Sequence, residues 1–354
     1  MKISTITSRL QRWSEGKIGR PVKVDIFPTQ KCNLNCRFCE FPNVDPKEYK
    51  EELPTEKLLE IAGEAGKMGA EVFGIVGGEP FLKEGIIDIM KRVKESGMSG
   101  SVTTNGTLLD EESVQRIVDM KWDLLRISID GVGSTHNKLR GKKGCFSRVT
   151  DTLELFKEKN STYPTIEINT VFNRENYGEV SEVVELAHSY GIGRIILLPM
   201  IEFNERASDL KLREEDKQKV ERSLKRAEDL AEEYNISINT EEVLEENFFS
   251  RSNETNTMIR DETVPCFMPW YSINVNPKGI ATPCSQFDEE MGVDVRGMSL
   301  EDIWFSEKFE EIREMIANKN LPETCSKCCA PLLEENEEIR RSFDDEENLA
   351  KRYM

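Results

Sequence analysis

The chain has 354 residues, of which 38% are hydrophobic, 8% aromatic and 32% charged. That length allows one large domain or two smaller ones with a sizeable core, and the apolar content excludes a wholly disordered chain. Its 66 acids against 48 bases give a net charge of −18 with no sustained basic run, which excludes a general nucleic-acid binder.

The first 19 residues hold no continuous apolar run and no small-residue cleavage site, so no signal peptide is expected. The most apolar stretch, residues 195–201, is far short of the roughly 20 residues that span a bilayer. A cytoplasmic protein without a membrane span is therefore expected. From residue 22 to about 235, β-rich runs alternate with segments of helical period. Strands are predicted at 22–27, 72–76, 101–104, 124–129, 166–171 and 194–198. Each precedes an apolar helical face. The first is Leu58, Ile61, Ala65 and Met68, with Thr55 as N-cap after Pro54. The later faces centre on Ile89 and Val93, Val114 and Ile117, Val149 and Leu153, Val180 and Val184, and Val220 and Leu224. Six strand–helix units imply an α/β fold with a parallel sheet. They suit an open or partial (β/α)6, TIM-like barrel, with sites at the carboxyl ends of the strands.

The alternation ends near Asn235. Residues 241–262 are polar and aperiodic and read as a connection at a domain boundary. Residues 263–332 are cysteine-rich, with a hairpin expected at 271–280 around Asn276-Pro277-Lys278-Gly279. One helix follows, with Ile303, Phe309, Ile312 and Ile316 on its face. Residues 334–354 read as an acidic, exposed helical tail. The expected layout is an N-terminal segment over 1–19, a core over 20–235, a small cysteine-rich domain over 236–332 and the tail over 333–354.

Nine cysteines stand against two histidines, His136 and His188. Histidine-based metal sites and Ser-His-Asp or Cys-His hydrolysis have few candidate residues, and clustered cysteines in a reducing compartment read as metal ligands. Directly after the first strand stands Cys32-Asn33-Leu34-Asn35-Cys36-Arg37-Phe38-Cys39. Three thiolates this close can hold three irons of a 4Fe-4S cluster and leave the fourth iron without a protein ligand. Zinc and three core cysteines are the alternatives, but a closed zinc site needs a fourth ligand. Gly77-Gly78-Glu79-Pro80 ends the second strand; its glycines permit close backbone approach, and Glu79 can accept a hydrogen bond from an ammonium. Thr103-Thr104-Asn105-Gly106-Thr107 ends the third strand and Ser128-Ile129-Asp130-Gly131 the fourth. A second set comprises Cys266, Cys284, Cys325 and Cys328. Four thiolates suit a second 4Fe-4S cluster or a structural zinc, and spacing does not choose between them.

Over about residues 20–235 the chain resembles the radical S-adenosylmethionine (radical SAM) enzymes, on the C-x3-C-x2-C loop with Phe38 before its third cysteine. The resemblance implies that Cys32, Cys36 and Cys39 hold a cluster whose open iron chelates S-adenosylmethionine. Reductive cleavage of that molecule yields a 5′-deoxyadenosyl radical, which abstracts a hydrogen atom from a substrate C–H bond. Phe38, Gly77, Gly78, Glu79, Pro80, Asn105, Ser128, Asn169 and Leu198 are the implied cofactor-binding residues. The second cysteine set looks like the Twitch form of the SPASM domain. That implies one auxiliary 4Fe-4S cluster, fully ligated by Cys266, Cys284, Cys325 and Cys328 and serving electron transfer. Cys145 reads as a small buried side chain; its sharper reading is a hydrogen-atom donor to a substrate radical. Cys329 reads as a spectator. His136 suits a hydrogen-bonding role, His188 packing or surface, and Trp270 and Tyr271 are expected over the auxiliary cluster.

On this resemblance the expected function is an oxidoreductase that dehydrogenates, rearranges or epimerises a small, sugar-like molecule. A flavodoxin- or ferredoxin-type donor would supply its electrons. The rival is a maturase of a ribosomally made peptide, disfavoured because only about 20 residues precede the first strand. The alternative of another class is a non-catalytic iron–sulfur or zinc-binding protein.

Overall fold

The structure is a computed structural model that describes residues 3–14, 17–41, 45, 47–244, 266–318, 320–322, 325, 336 and 339. Cys328, Cys329, most of the connection at 241–262 and the tail from 340 lie outside the described residues.

Each predicted β-run forms a strand, with its ends moved by a residue or two. They are β1 (Lys23–Ile26), β2 (Val72–Ile75), β3 (Ser99–Thr104), β4 (Leu124–Ser128), β5 (Thr165–Phe172) and β6 (Arg194–Pro199). They pair in chain order, all parallel, with registers such as Val24↔Phe73 and Ser128↔Asn169. Among the crossover helices, α2 (Thr55–Lys67) buries Leu58, Ile61 and Ala65. Likewise α3 (Ile86–Glu95) buries Ile89, Met90 and Val93, and the helix Cys145–Lys159 buries Val149 and Leu153. They meet Phe73, Ile75, Val102, Leu125 and Ile127 from the strands in one core. Each such side chain contributes about 1.5–3 kcal/mol on full burial. Thr55 is the first residue of α2 rather than its cap: its hydroxyl donates to Glu84 O at 2.7 Å, which ties the helix start to the next loop.

The sheet extends past six strands at both edges. β7 (Ser237–Ile238) pairs with Arg194 and Ile195 of β6. Asn239 continues that pairing with its side chain, accepting from Leu197 N at 2.7 Å and donating to Leu197 O at 3.1 Å. At the other edge the expected hairpin forms from β8 (Ser272–Val275) and β9 (Ile280–Thr282), with Gly279 in its turn at φ +85°. β8 lies parallel to β1, with Val24↔Ile273, so the cysteine-rich region continues the core sheet. All four residues of β8 are buried, and a buried strand needs ladder partners on both sides. β10 (Val293–Asp294) completes the order β10-β9-β8-β1-β2-β3-β4-β5-β6-β7.

The N-terminal segment forms α1 (Ile3–Ser14), whose Ile6 and Leu10 pack with Val22, Trp270, Tyr271, Cys284, Ile312 and Ile316 in a second core. The two ends of the sequence therefore share one apolar cluster. The single helix expected near Ile303–Ile316 is two, Leu300–Trp304 and Glu307–Ala317. Ser306 breaks it by accepting from Phe309 N at 3.3 Å as an N-cap. The fully buried Arg313 fastens the second helix, donating to Pro269 O at 3.0 Å and Trp304 O at 2.9 Å.

Candidate active site

The loop that leaves β1 packs Cys32, Cys36 and Cys39 together with Leu34, Phe38, Leu139, Met200 and Leu210. It has no helix or strand of its own to hold it, so neighbours brace its backbone. Asn35 N–H donates to Arg140 O at 3.1 Å, and Arg37 N–H donates to Leu139 O at 3.0 Å. Gly141, at φ +67°, sits so close that a Cβ there would meet Asn35 O at 2.1 Å. From the other side comes the segment after β6. Asn204 donates to Cys39 O at 3.0 Å, and Arg206 donates to Asn35 Oδ1 at 2.8 Å and to Cys36 O at 3.2 Å. Arg37 in turn donates to Asp209 at 2.6 Å and to Glu175 at 2.7 Å.

Burial pushes all three thiols up, Cys39 to about 12. Each sulfur also has a nitrogen donor. Asn105 Nδ2 lies 3.9 Å from Cys32 Sγ, and Arg140 Nη1 lies 3.9 Å from Cys36 Sγ. The backbone of Leu34 serves Cys32 and that of Phe41 serves Cys39. Donors aimed at buried sulfur favour thiolate, the form that binds iron. Among the described residues no three His, Cys, Asp or Glu side chains converge on one ion position. Thiolates on three different irons of one cluster need not converge. The donor set at the three sulfurs therefore fits an iron–sulfur cluster.

The Gly-Gly-Glu-Pro turn packs on this loop. Gly78 N–H donates to Thr29 O at 2.9 Å, and Glu79 N–H donates to Lys31 O at 2.8 Å. A Cβ at Gly78 would meet Lys31 O at 2.3 Å, so its missing side chain serves an approach between two protein segments. Glu79 is fully buried. Its Oε1 accepts from Thr104 Oγ1 at 2.7 Å and Phe81 N at 3.1 Å, and its Oε2 accepts from Asn105 N at 2.8 Å. Burial raises its pKa, and these donors oppose the rise. The carboxylate thus ties the end of β2 to the end of β3, and in this arrangement it faces protein donors. Pro80 opens the short turn that follows.

Asn105, Ser128, Asn169 and Leu198 stand towards the carboxyl ends of β3, β4, β5 and β6. Ser128 and Asn169 are register partners, as are Val171 and Leu198. Asn105 also donates to Asn33 Oδ1 at 2.9 Å, which couples the end of β3 to the cysteine loop. Asn169 Oδ1 is buried with no hydrogen-bond donor among the described residues, an acceptor suited to a ligand hydroxyl. His136 is fully buried and accepts from Asp130 N at 3.2 Å through Nδ1. Burial drives its pKa down to about 3, so it is neutral. Cys145 is 2% exposed, its thiol donates to Asn137 Oδ1 at 3.2 Å, and it packs in the cluster of Cys36 and Phe38. His188 stacks on Tyr234 with centroids 3.9 Å apart, as a surface pair.

Cys266 and Cys284 belong to the second core, beside buried Trp270 and Tyr271. Cys325 is pushed up to about 12 by burial and by nearby Cys284. Asn336 bridges to this group, accepting from Phe267 N at 2.8 Å with Nδ2 4.0 Å from Cys266 Sγ. Cys266 and Cys284 thus share one core, with Cys325 near Cys284; Cys328 lies outside the described residues. Sequence reasoning did not single out Arg140, Asn204, Arg206, Asp209 or Asn336. Arg140 and Gly141 are adjacent in the sequence shortly after His136, and nothing in that spacing says which loop they touch.

The family model described as the radical SAM superfamily matches residues 26–200, and an iron–sulfur cluster-binding domain model, SPASM, matches residues 266–329. Fe-coproporphyrin III synthase of Methanosarcina barkeri is 28% identical over 64% of this chain and 56% of its own length. The sporulation killing factor maturation protein SkfB of Bacillus subtilis is 30% identical over 51% of this chain and 46% of its own length. The chain thus spans about half the length of these two curated relatives. The PqqA peptide cyclase of Granulibacter bethesdensis is 25% identical over 85% of this chain and 77% of its own length. Among solved structures, Streptococcus suis SuiB bound to S-adenosylmethionine aligns with TM-score 0.65 at 19% identity. It covers 86% of this chain and 70% of SuiB, and at that identity the likeness is one of fold. No helix among the described residues is long and apolar enough to cross a membrane. The cysteine loop, the braced Gly-Gly-Glu-Pro turn and both matched domains give one conclusion: the chain belongs to the radical SAM superfamily, carries a SPASM-type iron–sulfur domain, and has S-adenosylmethionine and 4Fe-4S clusters as its cofactors.

Proposed function

We propose that this protein is a radical oxidoreductase acting on a C–H bond of a peptide, with one auxiliary 4Fe-4S cluster for electron transfer. When bound, the first cluster and S-adenosylmethionine supply a 5′-deoxyadenosyl radical. Cys32, Cys36 and Cys39 hold that cluster in this reading. The residues facing S-adenosylmethionine are drawn from Phe38, Gly77 to Pro80, Asn105, Ser128, Asn169 and Leu198, and Glu79 acts by fixing the strand ends. Cys266, Cys284, Cys325 and Cys328 hold the auxiliary cluster. The observation that carries the reading is the cysteine loop, whose three sulfurs, one buried and two partly buried, all receive nitrogen donors while its backbone is clamped from two sides.

The peptide substrate is favoured over the small, sugar-like molecule expected from sequence. Its support is the peptide cyclase likeness, which spans the core and the cysteine-rich region together. A small-molecule reading keeps one specific support, the match to Fe-coproporphyrin III synthase over 64% of the chain. The test is anaerobic reconstitution, dithionite reduction and chromatography for 5′-deoxyadenosine. Iron counting should give about eight per chain. Added peptides encoded beside its gene should speed 5′-deoxyadenosine formation, and a tetrapyrrole precursor of iron-coproporphyrin III should not. No 5′-deoxyadenosine from iron-filled protein would overturn the enzyme reading, and stimulation by the tetrapyrrole precursor alone would overturn the peptide.

A further inference from the structure

Arg140 and Asp130 form a buried ion pair beside the cysteine loop, and the reading above makes no use of that pairing. Arg140 is 7% exposed and Asp130 fully buried, and Arg140 Nε lies 2.5 Å from Asp130 Oδ2. Arg140 Nη1 reaches Cys36 Sγ at 3.9 Å. The guanidinium also lies over the Phe38 ring, 5.6 Å from its centroid. Burial opposes the charge on Arg140, but Asp130 and Cys36 more than offset it, so the guanidinium is held charged. Burial pushes the Asp130 carboxyl up overall, and Arg140 and Val171 N–H, which donates to Oδ1 at 2.8 Å, work against that rise. The neighbouring imidazole of His136 is neutral, so it does not cancel either charge.

A buried ion pair is expensive, and apolar residues of the same volume would often serve the fold as well. Its geometry suggests a use. The cation touches the sulfur of a cluster ligand, and the anion holds the cation from behind. A cluster gains one negative charge on reduction. A fixed positive charge and a hydrogen bond at its sulfur stabilise the reduced form, and a nearby negative charge destabilises it. We propose that Arg140 is a positioning residue that sets the reduction potential of the first cluster through Cys36, with Asp130 as its counterweight. This rests on the reading of Cys32, Cys36 and Cys39 as ligands of that cluster.

The two partners must act in opposite directions. In Arg140→Gln an unbalanced carboxylate remains, so the potential falls. In Asp130→Asn the guanidinium remains, so it rises. The readout is a potentiometric titration of the reconstituted holoenzyme, without S-adenosylmethionine, followed by electron paramagnetic resonance. The first cluster's signal is the one absent from Cys32→Ala. Each variant should change the reduced-to-oxidised ratio at fixed potential at least tenfold, or 59 mV for one electron. Arg140→Lys should stay closer to wild type than Arg140→Gln. Shifts of the same sign, or none in variants with full iron, would overturn the proposal. So would loss of the first cluster from both variants, because the pair would then be holding the fold alone. If Arg140→Gln alone loses its iron, Asp130→Asn decides. Wild type without a first-cluster signal would instead refute the ligand reading on which the proposal rests.

Discussion

Gly78→Ala tests the idea that the Gly-Gly-Glu-Pro turn is built to touch the cysteine loop. A Cβ there would lie 2.3 Å from Lys31 O, 2.6 Å from Gln30 O and 2.7 Å from Gln30 C. The nearest contact is more than 1 Å inside the ordinary range of 3.4–4 Å, and all three atoms are backbone, so no side chain can swing aside. The turn must move as a unit. That strains two hydrogen bonds, Gly78 N–H to Thr29 O at 2.9 Å and Glu79 N–H to Lys31 O at 2.8 Å. At about 1 kcal/mol each, plus about 1–3 kcal/mol for overpacking, the expected loss is about 3–5 kcal/mol. That is a large share of a typical stability of roughly 5–15 kcal/mol. The assay is urea unfolding of the apo protein, with iron content and S-adenosylmethionine binding measured after reconstitution. Gly178→Ala is the control, since a Cβ there meets nothing within 4 Å among the described residues. Gly178→Ala should change stability by less than about 0.5 kcal/mol. Gly78→Ala should unfold earlier and bind less iron and less S-adenosylmethionine. If it unfolds and binds like the control, the close-approach argument is wrong.

Three further outcomes are expected. Arg206→Ala and Asn204→Ala each free part of the cysteine-loop backbone, so bound iron should leave to a chelator several-fold faster than from the exposed-surface control Lys225→Ala; equal rates would refute the clamp. Cys145→Ala should keep full iron and full product formation, because the thiol is buried and bonded to Asn137; loss of product with 5′-deoxyadenosine formation intact would support the hydrogen-donor role instead. His136 has a folded pKa of about 3, below the unfolded value of about 6.5. The unfolded chain therefore takes up a proton first, and stability present above about pH 6.5 is lost on acidification at about 1.4 kcal/mol per pH unit. Urea midpoints at pH 7.5 and 5 should show wild type losing about 2 kcal/mol more than His136→Gln, and equal losses would contradict the neutral buried imidazole.

The strand–helix alternation was legible because it is local. Period-2 and period-3.6 apolar patterns are properties of a few consecutive residues, and burial of those faces then builds the core. The cysteine loop was legible because three cysteines within eight residues are a chemical statement in themselves. The Asn276–Gly279 turn was legible because Gly279 needs positive φ, and it adopts +85°. Helix α1 was not, since its apolar face finds its partners at Phe267–Tyr271 and Ile312, far along the chain.

The sequence by itself determined the alternating core, the cluster motif and the second set of cysteines. Only the tertiary structure decided what surrounds them. It joined β8 to β1, so that the cysteine-rich hairpin extends the core sheet. It made Glu79, a candidate ligand group, also a tie between strand ends. It set Arg140 against Cys36 and Asp130, with 104 positions separating the guanidinium from the sulfur it meets. Such contacts join residues remote in sequence, and hydrogen bonds and ion pairs leave no periodic trace in the chain. Their energies depend on burial and on distances of a few ångströms, which exist only once the sheet has brought the loops to one end.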